Sequence, residues 1–237
     1  YSLFTAKAAY TADLANLFNT LTGYTRKPSF RKILVAPYTL HDEVIRMIRE
    51  ESKAAKSGKE GRILIKVNSL VDPQSINELY LASQAGVRID LIVRGICGLI
   101  PGVRGLSENI RVISLLGRFL EHSRVFHFRN APLGKRTFLG SPDWMPRNFF
   151  RRIEVAFPVE DPSEETKIME SMEAFLRDNE FSTHLKSKGQ YIQPSKRRRP
   201  FSAQGHFISC SMDEVARKQD SDSGSSSRKT QNQSKGD

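Results

Sequence analysis

Three short apolar runs, separated by stretches with helical spacing, restrict this chain more than any other feature. "KILVAP" (Lys32–Pro37), "RILIKVN" (Arg62–Asn68) and "RIDLIVRG" (Arg88–Gly95) read as buried strands. Between the first two lies "DEVIRMIREESKAAKSG" (Asp42–Gly58), with Val44, Ile45 and Ile48 on one side and charge on the other. Between the second and third lies "PQSINELYLASQAG" (Pro73–Gly86), which opens on proline and ends on glycine, as helices prefer. Near-continuous apolar strands joined by helical crossovers imply a parallel sheet covered on both faces. Further on, "IRVISLL" (Ile110–Leu116), "RVFHF" (Arg124–Phe128), "KRTFLG" (Lys135–Gly140) and "RIEVAFPV" (Arg152–Val159) read as strands with brief loops, some antiparallel. "SEETKIMESMEAFLRDN" (Ser163–Asn179) reads as a capped amphipathic helix. Upstream, Leu14, Leu17, Phe18 and Leu21 give one more helical stripe. The expected class is α/β, with a mixed, largely parallel sheet flanked by helices.

Charge narrows the partners. The formal net charge is +11. Met212–Asp237 holds five basic and five acidic residues, so the surplus lies before it. Arg111 to Arg152 alone holds nine basic residues against two acidic ones. That density fits a polyanion: nucleic acid, acidic lipid, nucleotide or polyphosphate. A solvated basic face without a partner is the plainer alternative. No helix-turn-helix, zinc spacing or aromatic RNP-like stretch occurs, so no specific nucleic-acid partner is expected. Cys97 and Cys210 lie far apart, which fits a reducing compartment and gives no metal spacing. No apolar run approaches a membrane span.

The candidate site residues follow from strand ends. Ligands of parallel α/β sheets sit beyond the carboxyl ends of the strands. Asn68 and Arg94 occupy such ends, and Gly95 beside Arg94 lets a ligand approach the backbone. His122 and Arg124, two apart in "FLEHSRVFHF", share one side of an extended chain. The next strand ends in "GSPD", which offers Ser141. Imidazole, guanidinium and a Gly-Ser turn together can surround a tetrahedral phosphate. The other four histidines, His41, His127, His184 and His206, read as structural.

His-x-Arg followed by Gly-Ser resembles the second half of a phospholipase D-like motif. Arg124 stands where that motif has lysine, and Phe128 stands where it has aspartate. The longer stretches "ILIKVNSLVD", "LYLASQAGVRIDLIVRGICGLIPGV", "GLSENIRVISLLGRFLEHSRVF" and "GSPDWMPRN" resemble the C-terminal half of bacterial polyphosphate kinases of the large, phosphohistidine-forming type. The resemblance runs from Tyr1 to about Asn179. Pro142 departs from the family's usual alanine.

This resemblance implies a phospholipase D-like domain and reversible transfer of the terminal phosphoryl group of ATP to polyphosphate. The phosphorylated histidine, in a His-x-Lys context, would belong to an upstream domain, with no His-x-Lys match expected in this chain, so this chain by itself would be inactive. By motif, His122 matches a second histidine and Arg94 an arginine that bind nucleotide phosphates. His122 and Arg124 are then the catalytic candidates, and Arg94, His122, Asn68 and Ser141 the ATP- and phosphate-binding ones. The expected partners are ATP or ADP and inorganic polyphosphate. Mg²⁺ is expected with the ATP, with no metal ligand from the protein. A homo-oligomer is expected for the full-length enzyme, and the location is read as cytoplasmic or peripheral at the membrane. The alternatives are a phospholipase D-like phosphodiesterase or nuclease, with His122 as nucleophile, and a non-catalytic polyanion-binding module. The expected divisions are a linking segment with one helix over 1–30, ending a preceding domain, and the catalytic domain over 31–185. A basic, then low-complexity tail over 186–237 is read as mostly disordered.

Overall fold

The computed structural model describes residues 4–24, 28–194 and 199–213. Its nine strands are β1 (Leu34–Ala36), β2 (Arg62–Val67), β3 (Arg88–Val93), β4 (Ile110–Leu115), β5 (Arg124–Phe128), β6 (Thr137–Gly140), β7 (Glu154–Pro158), β8 (Ser182–Leu185) and β9 (Tyr191–Ile192). They form one sheet in the order β1-β7-β6-β5-β2-β3-β4-β8-β9. Five helices flank it: α1 (Ala8–Leu21), α2 (Leu40–Lys56), α3 (Pro73–Gln84), the short α4 (Pro146–Phe150) and α5 (Pro162–Arg177). A further helical stretch covers 203–213.

The mixed sheet agrees with the apolar pattern, but parallel pairing is confined to β2-β3 and β3-β4. The other six junctions are antiparallel, so the sheet is less parallel than the pattern implies. The difference starts at β1. It does not join β2 through a crossover; it pairs antiparallel with β7 at the far edge. There Ile33 and Val35 pack with Tyr10 and Leu17 of α1 and with Val155 and Phe157. α1 is turned away from its expected stripe. Tyr10, Asp13 and Leu17 are buried, whereas Leu14, Phe18 and Leu21 are exposed. The Asp13 carboxylate sets this rotation, because it accepts the backbone N–H groups of Arg31, Lys32 and Ile33.

Strand alternation feeds two apolar layers. Ile63, Ile65 and Val67 of β2 face the same layer as Leu91 and Val93 of β3, packed under Val44 and Ile48 of α2 and Leu79 of α3. Leu64, Ile92 and Ile113 point the other way, onto Ile168, Met172 and Phe175 of α5 and Ala203. Each fully buried side chain of this kind contributes about 1.5–3 kcal/mol. Local chemistry fixes the helix starts. Asp72 caps α3 by accepting from Ser75 N at 2.9 Å, and Asp161 caps α5 through Ser163 N at 2.8 Å, each followed by proline.

The ordered chain runs past residue 185. β8 and β9 extend the sheet beyond β4, and Ala203 enters the second layer, so 186–194 and 199–213 belong to the fold. Residues 195–198 and 214–237 of the expected tail lie outside the described residues.

Antiparallel pairing of β2 with β5 decides where chemistry can occur. Lys66 lies opposite Val125, and Arg124 lies opposite Gly140. The carboxyl end of β2, the entrance of β5 and the exit of β6 therefore share one edge.

His127 sits in β5 away from that edge. Its Nδ1–H donates to Thr137 Oγ1 at 2.8 Å, and the Thr137 hydroxyl donates to Glu165 at 2.9 Å. Burial, with Arg62, Arg136 and Arg129 nearby, pushes its pKa down to about 4. A histidine lowered in the folded state binds fewer protons there than in the unfolded chain, which titrates near ~6.5. Stability should therefore fall as pH drops below that value, by about 3 kcal/mol in all by pH 4. Urea unfolding of wild type and His127→Gln at pH 7 and pH 4.5 checks this. The variant should lose visibly less stability on acidification; an equal loss would assign the acid sensitivity to other groups.

Candidate active site

The edge is organised by one carboxylate. Asp143 is 8% exposed and lies just past the Gly140-Ser141 turn. Its Oδ1 accepts Asn68 N at 2.7 Å, and Arg124 lies against both oxygens, at 3.3 and 3.4 Å. Asn68 Oδ1 accepts Arg94 Nε at 2.5 Å. Asp143 thus fixes Arg124 directly and Arg94 through Asn68. The next residue anchors this arrangement. Trp144 is fully buried, its backbone N–H donates to Ser69 O, and its carbonyl accepts from Val71 and Asp72. Its ring meets Phe126 edge-on at 5.4 Å.

His122 precedes β5 and is exposed. Arg124 Nη1 donates to its Nδ1 at 2.9 Å and to its carbonyl at 2.8 Å. The same Nη1 lies 3.3 Å from Nε2, so both ring nitrogens face the guanidinium, Nδ1 more closely. The same neighbour lowers its pKa below the ordinary histidine value, followed by burial and Arg94; Asp143 opposes the effect. A guanidinium this close favours the neutral form of the imidazole.

A cleft of about 490 Å³ opens beside it, lined by His122, Ser123, Arg124, Gly140, Ser141 and Val155 among others. Arg94 and Asn68 do not line this cleft; they reach the same edge through Asp143. Ser141 is less free than the Gly-Ser motif suggests. Its hydroxyl donates to the Glu154 carboxylate, which also accepts Asn148 Nδ2 at 2.5 Å, and it accepts Val155 N at 3.1 Å. What Ser141 offers the cleft is a held oxygen. Gly140 is required there, since a Cβ would stand 2.9 Å from Val155 O. Gly95 also meets protein where a ligand was expected: its N–H donates to Asn68 O at 2.8 Å, and a Cβ would lie 2.7 Å from that oxygen.

A second cluster holds the loop that carries His122. Lys66 points from β2 into the apolar layer and is 2% exposed. Its Nζ donates to Ser123 Oγ at 2.7 Å, lies 3.2 Å from Glu121 Oε2 and sits over the Phe175 ring at 4.9 Å. Burial holds its pKa below the usual lysine value, against Glu121. Gln204, on the helical stretch 203–213, donates to Phe119 O and Glu121 and accepts from Phe119 N. Reading the sequence missed Asp143, Lys66, Glu121, Glu154 and Gln204 as contributors. Two signals were available: the aspartate that closes "GSPD", and the lysine in the otherwise apolar run "ILIKV".

One His-x-Lys triplet does occur in the chain. His184, Leu185 and Lys186 lie on and just after β8. Among the described residues no group of three His, Cys, Asp or Glu is placed to hold a metal. The donors at the His122 edge are guanidinium, imidazole and amide, which suit anions, and the Asp143 oxygens are already occupied. The edge therefore does not fit a protein-held Mg²⁺. No described helix is long and apolar enough to cross a membrane.

A family model described as "Polyphosphate kinase C-terminal domain 2" matches residues 33–204. The chain belongs to that family. It is 48% identical over 200 residues to a polyphosphate kinase of Synechocystis, covering 84% of this chain and 27% of the relative. It is 44% identical over 210 residues to one from Pseudomonas aeruginosa, covering 88% of this chain and 30% of the relative. The crystal structure of the polyphosphate kinase of Porphyromonas gingivalis superposes with a TM-score of 0.83 at 39% identity, over 89% of this chain and 32% of that one. The chain thus spans about a third or less of the length of these relatives.

If Asp143 organises the edge, its removal should strand the Asn68 N–H and release Arg124. Asp143→Ala should lower stability by about 1–3 kcal/mol, the range for losing buried charge-assisted hydrogen bonds. In a histidine-resolved NMR titration the His122 midpoint should also move as Arg124 repositions. A variant with wild-type stability and an unmoved His122 titration would show that the edge holds without this carboxylate.

Proposed function

We propose that this domain supplies the anion-binding side of a site that moves the terminal phosphoryl group of ATP reversibly onto polyphosphate. One observation carries the reading. Two guanidiniums and an imidazole converge on one strand edge, organised by the Asp143 carboxylate. Phosphoryl transfer depends on positioning and charge neutralisation more than on covalent work by such groups.

In this reading Arg94 and Arg124 neutralise phosphate oxygens, and Asn68 aims Arg94. His122 contributes its imidazole to the phosphate site, and Ser141 helps to shape the cleft. The bond between the γ-phosphorus and the bridging oxygen of ADP breaks as a bond to a histidine nitrogen forms. The phosphoryl group then passes to the terminal oxygen of polyphosphate. That histidine comes from a domain other than this one. Magnesium travels with the nucleotide as part of the substrate. The phosphodiesterase alternative needs His122 as nucleophile, and the guanidinium beside it makes this nitrogen less basic and weaker in that role.

Two measurements test the proposal. Calorimetric titration with MgATP should give a weaker complex for Arg94→Ala, by about 1–3 kcal/mol; equal affinity removes Arg94 from the site. Incubation of the purified chain with γ-labelled ATP and Mg²⁺ should leave no acid-labile, base-stable label on His122. A phosphohistidine mapped to His122 would make this domain the phosphoryl acceptor and turn His122 from phosphate donor partner into nucleophile.

A further inference from the structure

A second basic cleft lies outside the His122 edge. It encloses about 700 Å³ between the end of α5, β8 and the residues after β9, and Arg111, Arg177, His184, Lys186, Arg199 and Phe201 contribute to its walls. His184 and Lys186 are the His-x-Lys pair, two apart in an extended segment, and both line the cleft. Arg199 ends the basic run "KRRR" and is the one residue of that run among those described.

Apart from Arg111, the cations here have no carboxylate partner among the described residues. Arg111 is tied to Asp90 at 2.8 Å. Arg177 stacks over Phe201 at 4.5 Å. Among the described residues the side chains of Lys186 and Arg199 make no ion pair, and both are exposed. The cleft contains one acid, Asp178, whose charge is directed into the backbone. Its Oδ1 accepts the N–H groups of Glu180, Phe181 and Ser182, and its Oδ2 accepts that of Ala203. Burial and the cations Lys186 and Arg111 hold His184 below the ordinary histidine pKa. A bound anion would relieve that repulsion.

The cleft is linked to the His122 loop through the backbone. Between the cleft residues Asn179 and His184 the chain runs beside the end of β4, where Ser182 pairs with Leu115 and Leu116 N donates to Phe181 O. The chain leaves that point as the loop that reaches His122. The wall segment 199–201 is bonded to Asn179 and continues into Gln204, which grips the same loop.

We propose that this cleft is a second anion site, which holds a distal stretch of an inorganic polyphosphate chain while its end reacts at the His122 edge. The proposal rests on the polyphosphate function proposed for that edge. Polyphosphate is favoured over single-stranded nucleic acid because a base needs an open aromatic face on which to stack. The Phe201 face is covered by Arg177. A chain of phosphates needs only the cations.

Fluorescence anisotropy with end-labelled long-chain polyphosphate tests this on the whole chain. Lys186→Glu with Arg199→Glu changes two exposed residues and should weaken long-chain binding tenfold or more. The loss should shrink as salt rises, and calorimetric MgATP affinity should stay at the wild-type value. Arg177→Gln should weaken the long chain in the same direction. Arg94→Ala should behave in the opposite way, losing MgATP. Long-chain affinity unchanged in both the double variant and Arg177→Gln would overturn the proposal. So would single-stranded DNA of matched charge that binds as tightly and loses as much, since the cleft would then be a nucleic-acid surface. If Arg94→Ala leaves MgATP binding intact while the double variant still loses polyphosphate, the cleft stands and the reading of the His122 edge falls.

Discussion

The Asp143 carboxylate is the interaction on which the site depends. Without it the edge would gather Arg94 and Arg124 beside an imidazole with nothing to hold them apart or aim them. Like charges brought that close repel, and a long side chain freed of its partner regains rotamer entropy that a ligand would have to remove again. Asp143 opposes both effects. It takes one backbone N–H and one guanidinium, and through Asn68 it sets a second guanidinium. Its own position is secured by the neighbouring Trp144, buried and bonded across to Ser69 and Val71. Aromatic packing in the first apolar layer is thereby converted into orientation of charge at the edge.

Sheet topology makes that arrangement possible. Ligand sites in purely parallel sheets are built from strand exits alone. Here an antiparallel strand, β5, is inserted beside β2 and contributes its entrance. His122 and Arg124 enter the edge from one direction, and Asn68 and Arg94 leave it from the other. β6, antiparallel again, closes the cleft with its exit at Gly140.

Much of this was legible in the sequence, and the gaps have physical causes. Strands and helices were readable because their apolar spacing is regular, as in "RILIKVN" and "DEVIRMIREESKAAKSG". His122, Arg124, Asn68 and Arg94 were readable because polar groups at strand ends are few. The partner of β1 was not, since three apolar residues specify a strand but not its neighbour. The helix α1, turned by Asp13, chose the β7 edge. Asp143 was passed over because an aspartate after Gly-Ser-Pro reads first as turn chemistry. Gln204 carried no local signal at all: its role depends on a contact 85 residues back along the chain. The end of the domain was drawn early for a similar reason, because β8 and β9 are short and half exposed and show little alternation.

That long-range contact has a consequence for how the molecule is made. A chain emerging from the ribosome presents its N-terminal parts first. The strands that carry Asn68, Arg94, Arg124 and Ser141 are all synthesised well before residue 204. During that interval every chemical group of the edge exists, yet the loop bearing His122 lacks its Gln204 grip. Synthesis order therefore separates the presence of the edge's polar groups from the fixing of the loop that carries His122.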